Sequence, residues 1–157
     1  ATSLINGGAD VLFQNTDSSA VLQTAEKMGK RAFGWDSDMT AYGPKAHLGS
    51  AVINWGPYYV KAVKDALEGT WSTGGVWWGH KEGAIDMVSV ADDVPAEIKA
   101  KVDTIKAGLK DGSFHPWTGP IVGQDGKEVL AKDAKADDAF LGGVKFYVKG
   151  VEGKVPN

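Results

Sequence analysis

Asp10-Val-Leu-Phe-Gln14, then Asn15-Thr-Asp-Ser-Ser19, then Val21-Leu-Gln-Thr-Ala-Glu-Lys-Met28 before Gly29, then Arg31-Ala-Phe-Gly-Trp35 and Asp36: this stretch decides the fold class. The first run is short, apolar and bounded by turn formers, which is the pattern of a strand buried on both sides. The polar run supplies an N-cap. Val21, Leu22, Ala25 and Met28 then fall on one face of a helix that Gly29 stops. A second apolar strand follows at residues 31–35 and ends abruptly at Asp36. Strand, helix and strand in close succession imply a parallel pair joined by a helical crossover.

The alternation continues outward. Residues 46–53, Ala46-His-Leu-Gly-Ser-Ala-Val-Ile53, read as a third strand. Gly56-Pro57 opens a helix that carries Tyr59, Ala62, Val63, Ala66 and Leu67 inward until Gly69. Gly74-Gly-Val-Trp-Trp-Gly79 reads as a fourth strand, with Ile85 to Val90 continuing or pairing with it. Pro95 starts an amphipathic helix on Ile98, Val102, Ile105 and Leu109, which Gly112 ends. These elements imply an α/β lobe with a mostly parallel sheet. Beyond Gly112 the alternation stops. Pro120-Ile-Val122 and Lys127-Glu-Val-Leu130 flank Gly123-Gln-Asp-Gly126, a hairpin signal. Asp137 to Tyr147 fits a short helix or an extended tail equally. The expected division is therefore a lobe at 1–112 and a hairpin with tail at 113–157 that leaves it. Ala1 to Gly8 reads as the last turns of a helix closing on a glycine, so the chain is expected to be a piece of a longer polypeptide.

Composition removes several functions. A net charge of -3 with 24% charged residues leaves no basic stripe, and Lys27, Lys45, Lys64, Lys81, Lys101 and Lys149 are spread out, so a nucleic-acid partner is not expected. There is no cysteine, which excludes disulfides, thiolate metal sites and cysteine nucleophiles. No apolar run approaches the ~20 residues of a membrane-spanning helix.

In an open parallel sheet, ligands bind outside the carboxyl ends of the strands. Three polar strand ends are legible: Asn15-Thr16-Asp17-Ser18, Asp36-Ser37-Asp38-Met39, and Gly79-His80-Lys81-Glu82-Gly83. Asp36 fits an acceptor for ribose hydroxyls or a ring N–H, and it also fits an Asx turn or helix cap. Lys81 fits a donor to a ligand oxygen and equally a surface lysine. His47 and His80 stand in no metal-site spacing and read as structural or surface residues. A Gly-x-Ser-x-Gly elbow, a phosphate-binding Gly-Lys-Ser/Thr loop and His-Glu-x-x-His are all absent. Recognition groups without a nucleophile–base pair favour binding over catalysis, with no cofactor.

The runs Gly8-Ala-Asp-Val-Leu-Phe-Gln14, Gly34-Trp-Asp36-Ser-Asp38-Met39 and Gly79-His-Lys81-Glu-Gly83 closely resemble the basic membrane lipoprotein family of ABC-transporter substrate-binding proteins. So do Val94-Pro-Ala-Glu-Ile-Lys99, Gly119-Pro-Ile121 and Gly150-Val-Glu-Gly-Lys-Val-Pro156. The resemblance implies a flavodoxin-like, three-layer lobe, the carboxy-terminal one of two that close around a purine base or nucleoside. It implies an amino-terminal lobe and an opening strand outside this chain, ABC permease subunits as partners, and a periplasmic or lipid-anchored location. Asp36 corresponds to the family's ligand carboxylate, and Lys81 to its Lys-Glu-Gly loop. Asn15, Thr16 and Asp17 occupy a stretch that is Gly-rich in other members, and Met39 stands where many carry glutamine. With Trp55 and the pair Trp77-Trp78 these departures tilt the reading toward a free base. The expected ligand set is Asn15, Thr16, Asp17, Asp36, Met39, Trp55, Gly79 and Lys81.

Two rivals share the pattern. A receiver-type signalling domain would use Asp36 and Lys81, but it needs an acidic pair where Asn15-Thr16 stands. A flavin-binding flavodoxin-like module would stack its ring on the tryptophans.

Overall fold

The computed structural model describes residues 1–155; Pro156, which closes the last of the family-like runs, and Asn157 lie outside the described residues. The chain divides into two compact units, Ala1–Asp111 and Gly112 onward.

In the first unit the order is α1 (Thr2–Asn6), β1 (Val11–Leu12), α2 (Ala20–Lys27), β2 (Arg31–Asp36), a 3-10 turn (Thr40–Tyr42), β3 (His47–Ile53), α3 (Gly56–Glu68), β4 (Ile85–Val88) and α4 (Ala96–Asp111). The strands form one sheet in the order β1-β2-β3-β4. β1, β2 and β3 run parallel, and β4 runs antiparallel to β3. The class is α/β with a mostly parallel sheet, as the alternation implies.

The core lies where α1 and α2 cover the sheet. Ile5, Leu12, Leu22, Ala25, Ala32, Met39 and Ala46 form one buried cluster. Leu22 is fully buried, which contributes about 1.5–3 kcal/mol relative to leaving it exposed. The expected cap of α2 is supplied one residue early: Ser18 Oγ accepts from the Ala20 amide at 3.2 Å. Gly29, at φ +66°, ends the helix in the left-handed conformation that glycine adopts freely.

Two expectations need correction. Residues 74–79 form no strand; Ile85–Val88 takes the fourth place in the sheet and reverses its direction. Three apolar residues between Gly75 and Gly79 are too short a run to hold a ladder, and Gly74 sits at φ +147°. The face of α3 that reads as inward is also open. Tyr59, Val63 and Leu67 are all exposed, Leu67 by 84%. Amphipathic spacing marks a face that seeks cover without supplying the cover. The sheet shows the same asymmetry: side chains alternate across it, and Phe13, stacked on Phe33 at 4.4 Å on the face away from Leu12, stays 76% exposed.

The second unit holds β5 (Ile121–Val122), β6 (Glu128–Leu130) and α5 (Asp138–Gly142). β5 and β6 form the antiparallel hairpin expected around Asp125-Gly126. Gly126 at φ +83° and the Lys127 amide donating to Asp125 Oδ1 shape its turn. The segment that sequence left open resolves into α5, capped by Asp137 Oδ1 accepting from the Phe140 amide at 2.7 Å.

Candidate functional site

Parallel pairing places the carboxyl ends of β1, β2 and β3 along one edge of the sheet. The register Asp36↔Val52 sets the end of β2 beside the end of β3, and Ile53↔Ile85 brings the start of antiparallel β4 to the same edge. The loop 79–84 therefore reaches the expected edge, by leading into a reversed strand rather than by following a parallel one.

Asp36 closes β2 at φ +69°, a left-handed conformation that costs a non-glycine residue roughly 1–2 kcal/mol. Its carboxylate is half-buried and has no hydrogen-bond or ion-pair partner among the described residues. The turn-forming role open to it in sequence falls instead to Asp38. Asp38 Oδ1 accepts from the Thr40 amide at 3.0 Å and from Thr40 Oγ1 at 2.6 Å, while Oδ2 accepts from Ser89 Oγ. The hydrogen bonds from Ser89 and Thr40, with His47 nearby, lower the Asp38 carboxyl to about 2. Capping is accounted for, and Asp36 is left as an open acceptor.

Asn54, the first residue past β3, ties the edge together, a role the sequence reading missed. Its amide donates to Ala84 O at 2.7 Å, its Nδ2 to Gly83 O at 3.1 Å, and its Oδ1 accepts from the Gly56 amide at 3.1 Å. Two cavities meet at Asn54 and Ile85. One, of about 430 Å³, is largely apolar, with Trp55, Tyr58, Val76 and Trp78 among its walls. Its rings are already packed: Tyr58 meets Trp78 edge-on at 6.0 Å, and Trp55 stacks on Tyr59 outside the cavity at 6.1 Å. The other, of about 700 Å³, is mixed, with the charged or polar His80, Lys81, Asp86 and Lys106 beside apolar walls such as Val52 and Val88. There Lys106 Nζ lies 2.9 Å from Asp86 Oδ1, and Lys81 is exposed. An asparagine between an apolar run and Gly-Pro is the signal that could have marked position 54.

The other expected ligand residues scatter. Trp55 and Lys81 line the two cavities. Asn15, Thr16 and Asp17 are exposed at the end of β1 and line neither cavity, and Thr16 Oγ1 bonds Gln14 Oε1 at 2.9 Å. Gly79 lines neither; its amide donates to Glu82 Oε2 at 2.9 Å. Met39 is buried in the core cluster, its amide donating to Ser50 Oγ at 3.0 Å. A thioether at position 39 fits that apolar place, which explains why this side chain is turned from the edge. The described residues include no group of side chains arranged to hold a metal ion.

The family described as ABC transporter substrate-binding protein, PnrA-like (Bmp) matches residues 1–110. The chain belongs to this family. A purine-binding protein of Brucella abortus (strain 2308) is 43% identical over 99% of the chain, which spans 44% of that relative's length. A protein of Haloferax volcanii, provisionally named an ABC transporter glucose-binding protein, is 26% identical over the whole chain, which spans 38% of its length. Among solved structures, a transcriptional activator of the comK gene from Bacillus halodurans aligns with 73% of the chain and 41% of its own, at TM-score 0.66 and 20% identity. A solute-binding protein of an ABC transporter system from Conexibacter woesei aligns with 72% and 39%, at TM-score 0.53 and 20% identity. Both structural likenesses speak for the fold alone. No helix among the described residues is long and apolar enough to cross a membrane.

Proposed function

We propose that this chain supplies the purine-recognising lobe of the solute-binding component of an ABC importer, and that it binds without turning its ligand over. The observation that carries the reading is the 43% identity, over almost the whole chain, to a purine-binding protein of the same family. The edge geometry supports it. Asp36 offers an unpartnered acceptor to a ring N–H, Trp55 and Trp78 offer faces to a flat ring, and Lys81 offers a donor to an exocyclic oxygen. Aromatic walls with few polar groups suit a free base better than a nucleoside. The open faces of α3 and of the sheet are consistent with a second lobe closing over them, and residues 113–157 with a segment reaching toward that lobe. The permease partner and a location outside the cytoplasm, by export or lipid anchor, belong to the same proposal.

Mass spectrometry of the small molecule released on denaturing the purified natural polypeptide tests it. A purine base or nucleoside supports the reading. A released sugar overturns it in favour of the specificity named for the Haloferax relative.

A further inference from the structure

Behind Asp36 runs a chain of hydrogen bonds that the ligand-facing edge does not use. Met39 N donates to Ser50 Oγ at 3.0 Å, Ser50 Oγ lies 2.8 Å from His47 Nε2, and His47 Nδ1 lies 3.3 Å from Thr40 Oγ1. Thr40 Oγ1 lies 2.6 Å from Asp38 Oδ1, and the other Asp38 oxygen accepts from Ser89. Ser50 is fully buried and His47 is 2% exposed.

The donors fix the tautomer. The hydroxyl hydrogen of Thr40 goes to the Asp38 carboxylate, so Thr40 Oγ1 can only accept from His47, which places a hydrogen on Nδ1. Nε2 is then an acceptor, and Ser50 donates to it while its oxygen receives the Met39 amide. Every polar atom is satisfied once, with a neutral imidazole. Adding a proton to Nε2 turns the Ser50 hydrogen away from its recorded acceptor in a buried site, which is unfavourable. Residues 38–40 are thus clamped to β3 at Ser50 and at His47, two residues beyond the left-handed Asp36. The charged groups around His47 are Asp38 through Thr40, Arg31 through the His47 carbonyl at 3.2 Å, Asp93 paired with Arg31, and Lys45 and Asp92 in the cavity that His47 also lines.

We propose that Ser50 and His47 are positioning residues for Asp36, so that purine affinity requires a neutral His47 and falls in acid. This rests on the reading that Asp36 faces the ligand. The clamp acts through the backbone of 38–40: released, the turn loses its fixed register on β3, and the strained strand end has nothing to hold it to one direction. Burial lowers the histidine's affinity for protons, Asp38 opposes that effect and Arg31 adds to it. The clamp is therefore fully satisfied near neutrality and weakened below it, where the imidazolium Nε2–H takes the place of the Ser50 hydrogen and leaves that hydrogen without its acceptor.

The test uses calorimetric titration of adenine, hypoxanthine and guanine into the natural full-length polypeptide at about pH 7.5 and at an acid pH where the ring ¹⁵N shifts of His47 report its protonation, for the parent, Ser50→Ala and Asp36→Asn. The parent should lose roughly fivefold or more in affinity in acid while still folded, the value of about one hydrogen bond. Ser50→Ala should bind weakly at both values with no acid step, and His47 should show the neutral Nδ1–H form near neutrality. A flat parent profile, a Ser50→Ala variant with the parent's profile, or an Nε2–H imidazole overturns the positioning role. Asp36→Asn binding the preferred base as the parent does removes the premise about Asp36. A parent that takes none of the three bases at either value rejects the free-base reading, and the positioning role with it.

Discussion

Replacing Asp36 with asparagine in the natural full-length polypeptide separates recognition from scaffold more cleanly than any other change at the edge. The side chain keeps its size, and asparagine tolerates the left-handed conformation at φ +69° about as well as aspartate does. No recorded protein hydrogen bond is lost, because the turn bonds belong to Asp38. Stability should therefore stay within ~0.5 kcal/mol of the parent, the ordinary range for a substitution that removes no special contact. Affinity should change far more. A hydrogen bond to a charged acceptor contributes about 1.5–3 kcal/mol against about 0.5–1.5 for a neutral one, and each ~1.4 kcal/mol is tenfold, so losing the charge while keeping an amide oxygen weakens binding about 5- to 10-fold. Thermal melting and calorimetric purine titration on the same preparations read the two quantities. Unchanged affinity with a lowered melting temperature would refute the assignment and make Asp36 part of the scaffold.

Other changes probe the frame around that carboxylate. Leu22→Ala empties a fully buried position between α2 and the sheet, and denaturant melts should show a loss of about 2–5 kcal/mol. Gly34→Ala would set a Cβ 2.2 Å from Ser50 Oγ and 2.8 Å from Met39 Cβ, so it should destabilise by about 1–3 kcal/mol and disturb the Met39 amide, as hydrogen exchange would report. Trp55→Ala removes an aromatic wall of the apolar cavity and should weaken purine binding, about 0.5–1.5 kcal/mol of it from ring stacking, with little change in melting because Trp55 is exposed. Acid should lower stability in two windows, measured by melts across pH. His47 binds its proton less readily when folded than its ordinary value near 6.5, so the unfolded chain takes up the proton first and stability falls as pH drops below that value. Asp38, held at about 2 against an ordinary value of 3.8, adds a second loss as pH falls through that lower range.

The fold was legible where local pattern and tertiary demand coincide. Leu12, Leu22, Ala25 and Ala32 are apolar at the spacings of strand and helix and do fill one core, so strand, helix and parallel strand could be read directly. The fourth strand was misplaced because an apolar run of three at Val76-Trp-Trp78 resembles a strand as closely as Ile85–Val88 does. Only the ladder with β3 separates them, and pairing is not a local property. The site was partly legible for a related reason. Strand ends follow from strand order, so Asp36 and the 79–83 loop could be placed at the edge. Whether Met39 points outward or into the core depends on where the chain turns after Asp36. Ser50 fixes that turn from the next strand, through the Met39 amide.

The two halves of the edge differ physically, and this difference bears on what it recognises. On the β2 side a core methionine and a buried hydrogen-bond chain fix the turn that follows Asp36, whose own carboxylate has no protein partner among the described residues. A carboxylate used as the ligand acceptor there would select by direction, because a ligand donor that misses it gains nothing and loses its water. Toward β4, Gly74, Gly75 and Gly79 flank a segment with no ladder, and Trp77 in it is largely exposed. Aromatic rings on such a loop can settle onto a flat ligand of varied outline, contributing area more than direction. A planar heterocycle with a ring N–H answers both demands at once, since it has a face for the tryptophans and an edge for Asp36. A hexose offers hydroxyls in many directions and a narrower apolar face, so it would engage the carboxylate while leaving much of the aromatic wall uncovered. On the proposed reading, an acceptor at the end of β2 and an aromatic wall beside Asn54 would together suit a purine more than a hexose.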